Sequence, residues 1–247
     1  MGTRSRLPCD DIAEYGDANK EIVNGEKQMK ILVISDVHGT DYWKTCINKV
    51  DEYDHIVQMG DWFDDWTNDW DKVDQINNLE EALAFQSKYK DKVHILIGNH
   101  DLNSYLMRES VSGHQAFKEI DIYHTLKEHI DEMNIAVEIG GWVFSHAGFT
   151  KTWMKLHNFN SIEEVNDAFH NFKFEPFKFY GWDVTGNDIT QGPTWVRIDS
   201  LIADYYFDKQ VVGHTPLKNP PLISHKNGLK LVVVDDEKHK CQYELII

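Results

Sequence analysis

Short apolar runs that end in glycine-containing polar turns are the feature that most constrains the fold of this chain. In the first half these runs are KILVIS (30–35), HIVQM (55–59) and VHILI (93–97), all rich in β-branched residues. Stretches of helical length, 41–53 and 73–90, separate them, and the second has apolar residues at near-helical spacing. Because buried strands alternate with helices, the sequence predicts βαβ units and a parallel sheet.

The second half of the chain carries more strand signals. The dipeptide GG lies between the strand-like segments 135–140 and 142–146, which predicts a β-hairpin. Further strands are predicted at 210–214, 229–236 and 241–247, and helices at 113–130 and 161–171. Ser161 and Glu164, at the start of the last helix, have the spacing of a capping box. We therefore predict an α/β fold, a four-layer α/β/β/α sandwich of two mixed β-sheets flanked by helices, whose second sheet is the more antiparallel one.

Residues 1–28 differ from the rest of the chain because they are polar and aperiodic. The first six residues, MGTRSR, are typical of an expression-vector remnant. No Pro/Gly/Ser-rich linker divides the remaining sequence. We expect a flexible N-terminal segment at 1–28 and one domain at 29–247.

Charge and cysteine content exclude several classes of partner. The formal net charge is −16 at pH 7 without a local cluster of Lys and Arg, which disfavours long nucleic acid. Cys9, Cys46 and Cys241 are widely separated and form no C-x-x-C pair, so neither a disulfide framework nor a cysteine zinc site is indicated. With neither an apolar leader nor a run of about eighteen apolar residues, we expect a cytoplasmic protein without a membrane partner. The sequence does not indicate an oligomeric state.

Polar side chains follow five of the predicted strands, at the point where each strand ends. The turns are DVHG (Asp36, His38), GDWFD (Asp61, Asp64), GNHD (Asn99, His100, Asp101), SHAG (His146) and GHTP (His214). In α/β sheets, ligands bind beyond the carboxyl ends of the strands. Carboxylate, imidazole and amide ligands suit divalent ions such as Mn²⁺, Fe²⁺ or Zn²⁺. A site with two metals about 3.5–4 Å apart clamps both oxygens of a phosphoryl displacement.

These five motifs, in this order, resemble the calcineurin-like metallophosphoesterases. The resemblance covers residues 31–216, and SHAG with GHT is most similar to the branch that holds the phosphoprotein phosphatases and the symmetrical dinucleoside tetraphosphatases. It implies two divalent metal ions, with manganese first and iron or zinc as alternatives. It also implies a metal-bridging hydroxide as the nucleophile for in-line attack.

The resemblance implies a role for each motif residue. The first metal would be held by Asp36, His38 and Asp61, and the second by Asp61, Asn99, His146 and His214. Asp61 would bridge the two ions. His100 would protonate the leaving oxygen, and Asp64 would orient it.

The sequence differs from the family pattern at the arginine that binds the phosphate. Asp65 stands where phosphoprotein phosphatases have that arginine, in G-D-x-x-D-R-G. Outside the N-terminal segment the only arginines are Arg108 and Arg197, so these are the candidates for stabilising the phosphoryl oxygens. Arg197 is preferred, because its surroundings, GPTWVR, resemble a W-x-R stretch of some bacterial members.

Trp62 and Trp66 flank the predicted ligands and are hypothesised to bind substrate. An indole at either position can line the site, or it can stack on a nucleobase or an aromatic leaving group. Packing in the core is the alternative for both residues.

The motifs together predict an enzyme, a metal-dependent phosphatase that hydrolyses phosphomonoesters. The alternative is a hydrolase of dinucleoside polyphosphates such as Ap4A, and the remote alternative is a non-catalytic binding module. The expected partner is a phosphorylated protein, a nucleotide or a dinucleoside polyphosphate. The natural substrate and metal are left open.

Overall fold

A computed structural model describes residues 28–64, 72–109, 111–178, 183, 185–226, 228–238, 240 and 242–247. Among them, the strands are β1 (Lys30–Ile34), β2 (His55–Gln58), β3 (Val93–Ile95), β4 (Ala136–Ile139), β5 (Trp142–Ser145), β6 (Lys209–Val212), β7 (Leu222–Lys226), β8 (Leu229–Val233) and β9 (Gln242–Ile246). The α-helices are α1 (Tyr42–Cys46), α2 (Lys72–Lys88), α3 (Asn99–Asp101), α4 (Glu119–Glu128), α5 (Lys151–Leu156), α6 (Ile162–His170) and α7 (Ile198–Asp204). Nearly all of the predicted N-terminal segment, together with Asp65 and Trp66, lies outside the described residues.

The strands form two mixed sheets. The first has the order β3-β2-β1-β9, in which β1, β2 and β3 are parallel and β9 is antiparallel to β1. The second has the order β4-β5-β6-β8-β7, with β5, β6 and β8 parallel and an antiparallel strand at each edge. The predicted fold class is confirmed. Among the described strands, two of the four pairings in the second sheet are antiparallel, against one of three in the first, as predicted; β9 pairs with the free edge of β1.

Residues of β1 show why its sequence is an uninterrupted apolar run. Ile31 and Val33 face the second sheet and pack in a cluster that includes Phe144 and Val211. Leu32 and Ile34 point to the other side, into the cluster formed with the helices. A strand covered on both faces needs apolar side chains at every position.

Helices cover the outer faces of both sheets. On the first sheet, α2 packs on β3; on the second, α6 packs on β4 and Leu201 of α7 packs in a cluster with Val212 and Leu231 of the strands. The helices predicted at 73–90 and 161–171 correspond to α2 and α6. The helix predicted at 41–53 is instead α1 followed by a 3₁₀ helix, Ile47–Glu52. None of the helices in the described part of the chain is long and apolar enough to cross a bilayer.

Turn residues behave largely as their sequence predicts. Gly140 and Gly141 have φ angles of 57° and 75° in the tight turn of the β4–β5 hairpin, a conformation that glycine adopts without strain. At the start of α6, the Ser161 side chain accepts a hydrogen bond from the Glu164 backbone N–H at 3.3 Å. The Glu164 carboxylate accepts from the Asn160 N–H at 2.7 Å, so the capping box is only half formed.

Candidate metal centre

The carboxyl ends of five strands bring the predicted ligands together. The ligands follow their strands in this way: Asp36 and His38 after β1, Asp61 after β2, Asn99 after β3, His146 after β5 and His214 after β6. Each of these side chains is buried, with at most 7% of its surface exposed. Parallel pairing places the carboxyl ends of β1 to β3 at one edge of the first sheet and those of β5 and β6 at one edge of the second. The contact between Asp61 and His146 shows that these two edges meet.

The backbone is strained at several of these positions. His38, Asp61, Asp64 and His214 have φ angles of 44°, 52°, 67° and 58°, in the left-handed region that L residues seldom occupy. Conformations of this kind cost about 1–3 kcal/mol each and cluster at functional sites. The turns therefore hold these side chains in orientations that relaxed turns do not give.

Two glycines give the ligand carboxylates room. A Cβ atom on Gly98 would lie 2.0 Å from Oδ1 of Asp61, and one on Gly213 would lie 2.2 Å from Oδ1 of Asp36. Neither position has room for a side chain, and this accounts for glycine in the motifs GNHD and GHTP.

In three histidines, one ring nitrogen lies within hydrogen-bonding distance of a backbone carbonyl oxygen. The pairs are His38 Nδ1 with Phe63 O at 3.2 Å, His146 Nδ1 with Met59 O at 2.9 Å, and His214 Nε2 with Trp195 O at 3.0 Å. A carbonyl only accepts hydrogen bonds, so the nitrogen that faces it carries the hydrogen. In the neutral ring the other nitrogen then carries its lone pair, and metal-binding histidines are held in this way.

The remaining nitrogens converge on the carboxylate of Asp61. His146 Nε2 lies 3.3 Å from Oδ2 of Asp61, 3.0 Å from Oδ1 of Asn99 and 3.1 Å from Nδ1 of His214. His38 Nε2 lies 3.5 Å from the same Asp61 oxygen. A single ring N–H cannot satisfy all these neighbours, whereas a cation can be shared by them.

Asp61 belongs to two groups whose ligand atoms lie within 4.8 Å of one another. One group is His38, Asp61 and His100, and the other is Asp61, His146 and His214. Asp36 lies beside the second group, where both of its carboxylate oxygens accept from the His214 backbone N–H at 3.0 and 3.2 Å. The donor set fits divalent cations, because it combines buried carboxylates with imidazole and amide groups.

The carboxylates of the cluster favour positive charge on His146 but not on His214, whose pKa is held well below its ordinary value by burial and by the charges of Arg197 and His146. Although burial alone would raise the pKa of Asp61, His146 and its other histidine neighbours hold that pKa well below its ordinary value. Burial and the nearby Asp235 carboxylate raise the pKa of Asp36 well above its ordinary value. Burial opposes charge on His146, yet Asp61 and Asp36 raise its pKa to about 10. A buried cluster that attracts a proton so strongly offers the same attraction to a cation.

His100 and Asp64 form a buried pair. Nδ1 of His100 lies 2.8 Å from Oδ2 of Asp64, and the His100 backbone N–H donates to Oδ1 of Asp61 at 2.9 Å. Burial disfavours the charged imidazole, but Asp61 and Asp64 outweigh it and raise the pKa of His100. The hydroxyl of Tyr105 donates to the other oxygen of Asp64.

Asp101 connects two of the motif turns, a role that the sequence motifs do not predict. Its carboxylate accepts from the backbone N–H groups of Trp62 at 2.7 Å, Phe63 at 3.3 Å and Gly98 at 2.9 Å. Burial and the charge of Asp61 raise its pKa to about 7. The only signal in the sequence was its position beside His100 in GNHD.

The two candidate arginines lie in different surroundings. Arg197 donates from Nη1 to the backbone carbonyl of His214 and from Nε to that of Thr185 at 3.0 Å, so it lies next to the ligand cluster. Its pKa is lowered by burial. Arg108 is 56% exposed and lies 3.4 Å from Glu119 and 4.8 Å from the ring of Tyr123. Among the described residues, those are the charged and aromatic contacts of Arg108.

Trp62 does not fit the predicted substrate-binding role. Its side chain is completely buried, its indole N–H donates to Leu96 O at 3.4 Å, and its ring centroid lies 6.3 Å from that of Trp43. A ring enclosed on all sides has no face for a nucleobase, so packing in the core is the correct interpretation of this residue. Trp66 lies outside the described residues.

Comparisons with known proteins agree with this geometry. Residues 29–218 match the family model described as calcineurin-like phosphoesterase. The fold is similar to that of a cold-active protein-tyrosine phosphatase from a psychrophilic Shewanella species, at 19% identity and a TM-score of 0.52, over 85% of this chain and 72% of that one. It is also similar to a protein serine/threonine phosphatase from Saccharomyces cerevisiae, at 11% identity and a TM-score of 0.52, over 84% and 67% of the two chains. No curated protein matches the chain.

Proposed function

The chain belongs to the calcineurin-like phosphoesterase family, and on that premise we propose that it is a phosphatase that hydrolyses phosphomonoesters with two divalent metal ions. The observation that carries the proposal is the position of Asp61, whose buried carboxylate is common to two groups of ligand atoms. A shared carboxylate is suited to bridging two cations. Residues 29–247 are taken as the single domain that performs this reaction.

We assign the ligands to two ions that share Asp61. The first ion would be held by Asp36, His38 and Asp61, and the second by Asp61, Asn99, His146 and His214. When bound, a pair of divalent ions activates water and neutralises charge on phosphoryl oxygens. Manganese is proposed first, because a mixed carboxylate, imidazole and amide set is not restricted to zinc; iron and zinc follow.

His100 is proposed as the general acid. Nδ1 lies 2.8 Å from Asp64, and the second N–H of the protonated ring, on Nε2, is the one proposed to donate its proton to the leaving oxygen. As the phosphorus–oxygen bond to the leaving group breaks, that proton moves to the leaving oxygen and water supplies the new oxygen on phosphorus. The raised pKa of His100 supports a ring that holds its proton near neutral pH.

Arg197 is proposed to stabilise the phosphoryl oxygens in place of the arginine that Asp65 replaces. Its support is the contact between its guanidinium and the His214 carbonyl. A fixed guanidinium beside the metal ligands adds positive charge where charge develops in the transition state.

Phosphorylated proteins are proposed as the first class of substrate. Both fold relatives described above are named as protein phosphatases, which supports this order. Nucleotides and dinucleoside polyphosphates come second, because Trp62 is buried and gives no support to nucleobase stacking.

The test uses chelator-stripped protein reloaded separately with Mn²⁺, Zn²⁺, Fe²⁺ or Mg²⁺. Each form is assayed with phosphopeptides, mononucleotides, dinucleoside tetraphosphates and p-nitrophenyl phosphate. We expect no turnover by the stripped protein, turnover after Mn²⁺ addition, and the highest kcat/KM for a phosphopeptide. Full activity in an Asp61→Asn or His100→Asn variant would contradict the assigned roles, and turnover of the dinucleoside tetraphosphates alone would favour the second substrate class.

A further inference from the structure

A second histidine, His114, is linked to His100 through a chain of hydrogen bonds. His114 Nδ1 lies 2.6 Å from the hydroxyl of Ser104, and this hydroxyl lies 3.4 Å from Oδ2 of Asp64. The same Asp64 oxygen lies 2.8 Å from Nδ1 of His100. Ser104 is fully buried, in the π-helical turn Leu102–Leu106 that follows α3. The four side chains therefore form one continuous path.

The direction of the hydrogen bonds along this path follows from the chemistry of its members. An ionised carboxylate only accepts hydrogen bonds, and a hydroxyl has one hydrogen. When Ser104 donates that hydrogen to Asp64, its oxygen accepts from His114, so Nδ1 of His114 carries a hydrogen. The donors of Ser104 and His100 then point at one oxygen of Asp64, which restricts the rotation of the carboxylate.

The outer end of the path is held by two further contacts. Nε2 of His114 lies 3.7 Å from Oε2 of Glu119, and the opposite Glu119 oxygen lies 3.4 Å from Nε of Arg108. The His114 ring lies 5.2 Å from that of Tyr105, whose hydroxyl donates to the other oxygen of Asp64. With its side chain only 15% exposed and both nitrogens beside a partner, the imidazole has a defined orientation.

We propose that His114 is a positioning residue for phosphoester hydrolysis, acting through Ser104 and Asp64 on the orientation of His100. No bond is made or broken at His114. The inference rests on the proposed function, in which His100 protonates the leaving oxygen.

The test compares substrates that need different amounts of leaving-group protonation. Phenyl phosphate has a poor leaving group and depends on a general acid, whereas 2,4-dinitrophenyl phosphate leaves almost without one. For His114→Phe, we expect kcat to fall about tenfold with phenyl phosphate and less than about twofold with 2,4-dinitrophenyl phosphate, with KM unchanged. A purely structural role would lower both rates by the same factor.

Three further variants keep the test decisive. In His114→Asn the amide N–H can take the place of Nδ1–H, so we expect the phenyl phosphate rate to stay within about twofold of the wild type. Ser104→Ala removes the link with a small change of volume, and it should reproduce the selective loss. Because both residues act on one path, the loss in the double variant Ser104→Ala/His114→Phe should be less than the product of the single losses.

The outcomes separate the two levels of the proposal. Wild-type protein that turns over neither aryl phosphate with any of the metals contradicts the proposed function. Active wild-type protein whose Ser104→Ala and His114→Phe variants lose equal factors on both substrates, or lose nothing, overturns the role of His114 and leaves the phosphatase assignment standing.

Discussion

Oδ2 of Asp61 lies 3.3 Å from Nε2 of His146, and this contact joins the first sheet of the sandwich to the second. Asp61 follows β2 and His146 follows β5, so their approach depends on how the two sheets pack. The apolar cluster between the sheets, which includes Val57 and Phe144, therefore fixes the distance between ligands from different sheets.

Asp61→Asn should weaken metal binding strongly, because it removes negative charge from both groups of ligand atoms. Changes to residues that only support a ligand already cost roughly 10–100-fold in metal affinity, so we expect a loss of at least about 100-fold here. Isothermal titration of stripped protein with Mn²⁺ measures the effect. Glu132→Gln, which removes an exposed carboxylate beside His129, is the matched control and should bind Mn²⁺ as the wild type does. Equal affinities in all three proteins would remove Asp61 from the ligand set.

Gly98→Ala should damage the site without imposing a forbidden backbone conformation. Gly98 has φ −106° and ψ −176°, which any residue adopts, but its new methyl group would meet Oδ1 of Asp61. We expect kcat/KM to fall by about 100-fold, since displacement of a site group by about 1 Å has effects of that size. Gly141→Ala is the control: its Cβ meets only open space and one lysine amine at 4.0 Å, so strain in the hairpin should lower stability but not kcat/KM. Similar losses of activity in both variants would contradict the steric explanation.

Arg197→Met should lower kcat/KM by about 100-fold if its guanidinium stabilises the phosphoryl group, by analogy with loss of a transition-state hydrogen-bond donor. Arg108→Met should change kcat/KM by less than about threefold, because Arg108 is held by Glu119 and Tyr123. Steady-state kinetics on one substrate measures both, and urea denaturation shows whether Arg197 also stabilises the fold. The reverse ranking would make Arg108 the phosphate-binding arginine.

Trp62→Phe should change stability rather than substrate preference. The smaller ring leaves a cavity and removes the donor to Leu96 O, so we expect a loss of about 1–3 kcal/mol in the free energy of unfolding. The ratio of kcat/KM for adenosine monophosphate to that for p-nitrophenyl phosphate should not change. A selective loss on the nucleotide would restore Trp62 as a substrate-binding residue.

His94 should make the stability of the protein depend on pH. Burial and His55, whose Nδ1 lies 3.1 Å from Nε2 of His94, lower the pKa of His94 to about 4. In the unfolded chain the imidazole takes up a proton below about pH 6.5. The contribution of His94 to the free energy of unfolding should therefore be fully present above pH 6.5, and about 3 kcal/mol of it should be lost as the pH falls from 6.5 through 4.

Urea denaturation in the presence of EDTA measures this dependence, and His94→Gln is the comparison. The variant lacks the titrating group, so its stability should fall less over the same pH interval. Parallel pH dependence in the two proteins would show that His94 is not responsible.

The strand ends of the site were predictable from the sequence because two signals coincide there. Apolar runs such as 30–35 predict buried strands, and the residues that follow them carry ligand chemistry within a glycine turn. Short motifs of this kind predict a strand end with ligand side chains without knowledge of the rest of the fold. The positions of Asp36, Asp61 and His146 at strand ends follow from them directly.

Other features depend on tertiary contacts that no local pattern carries. The apolar, β-branched sequence of 241–247 predicts a strand but does not say which edge it joins. Aromatic residues in a polar motif give no sign of burial, so the sequence alone leaves both substrate binding and core packing open for Trp62. His114 lies ten residues from Ser104 with no motif around it, so its contact became visible only when the turn after α3 was in place.

The pairing of β1 with β9 has a consequence for the order of events in folding. Lys30 lies opposite Ile246, so the strand that leads to Asp36 and His38 finds one of its two neighbours roughly 200 residues away along the chain. Contacts at such separation carry a large entropic cost of loop closure and form slowly. During synthesis on the ribosome, one edge of β1 therefore stays unpaired until almost the whole domain has emerged. Until then, that edge is exposed to pairing with other chains.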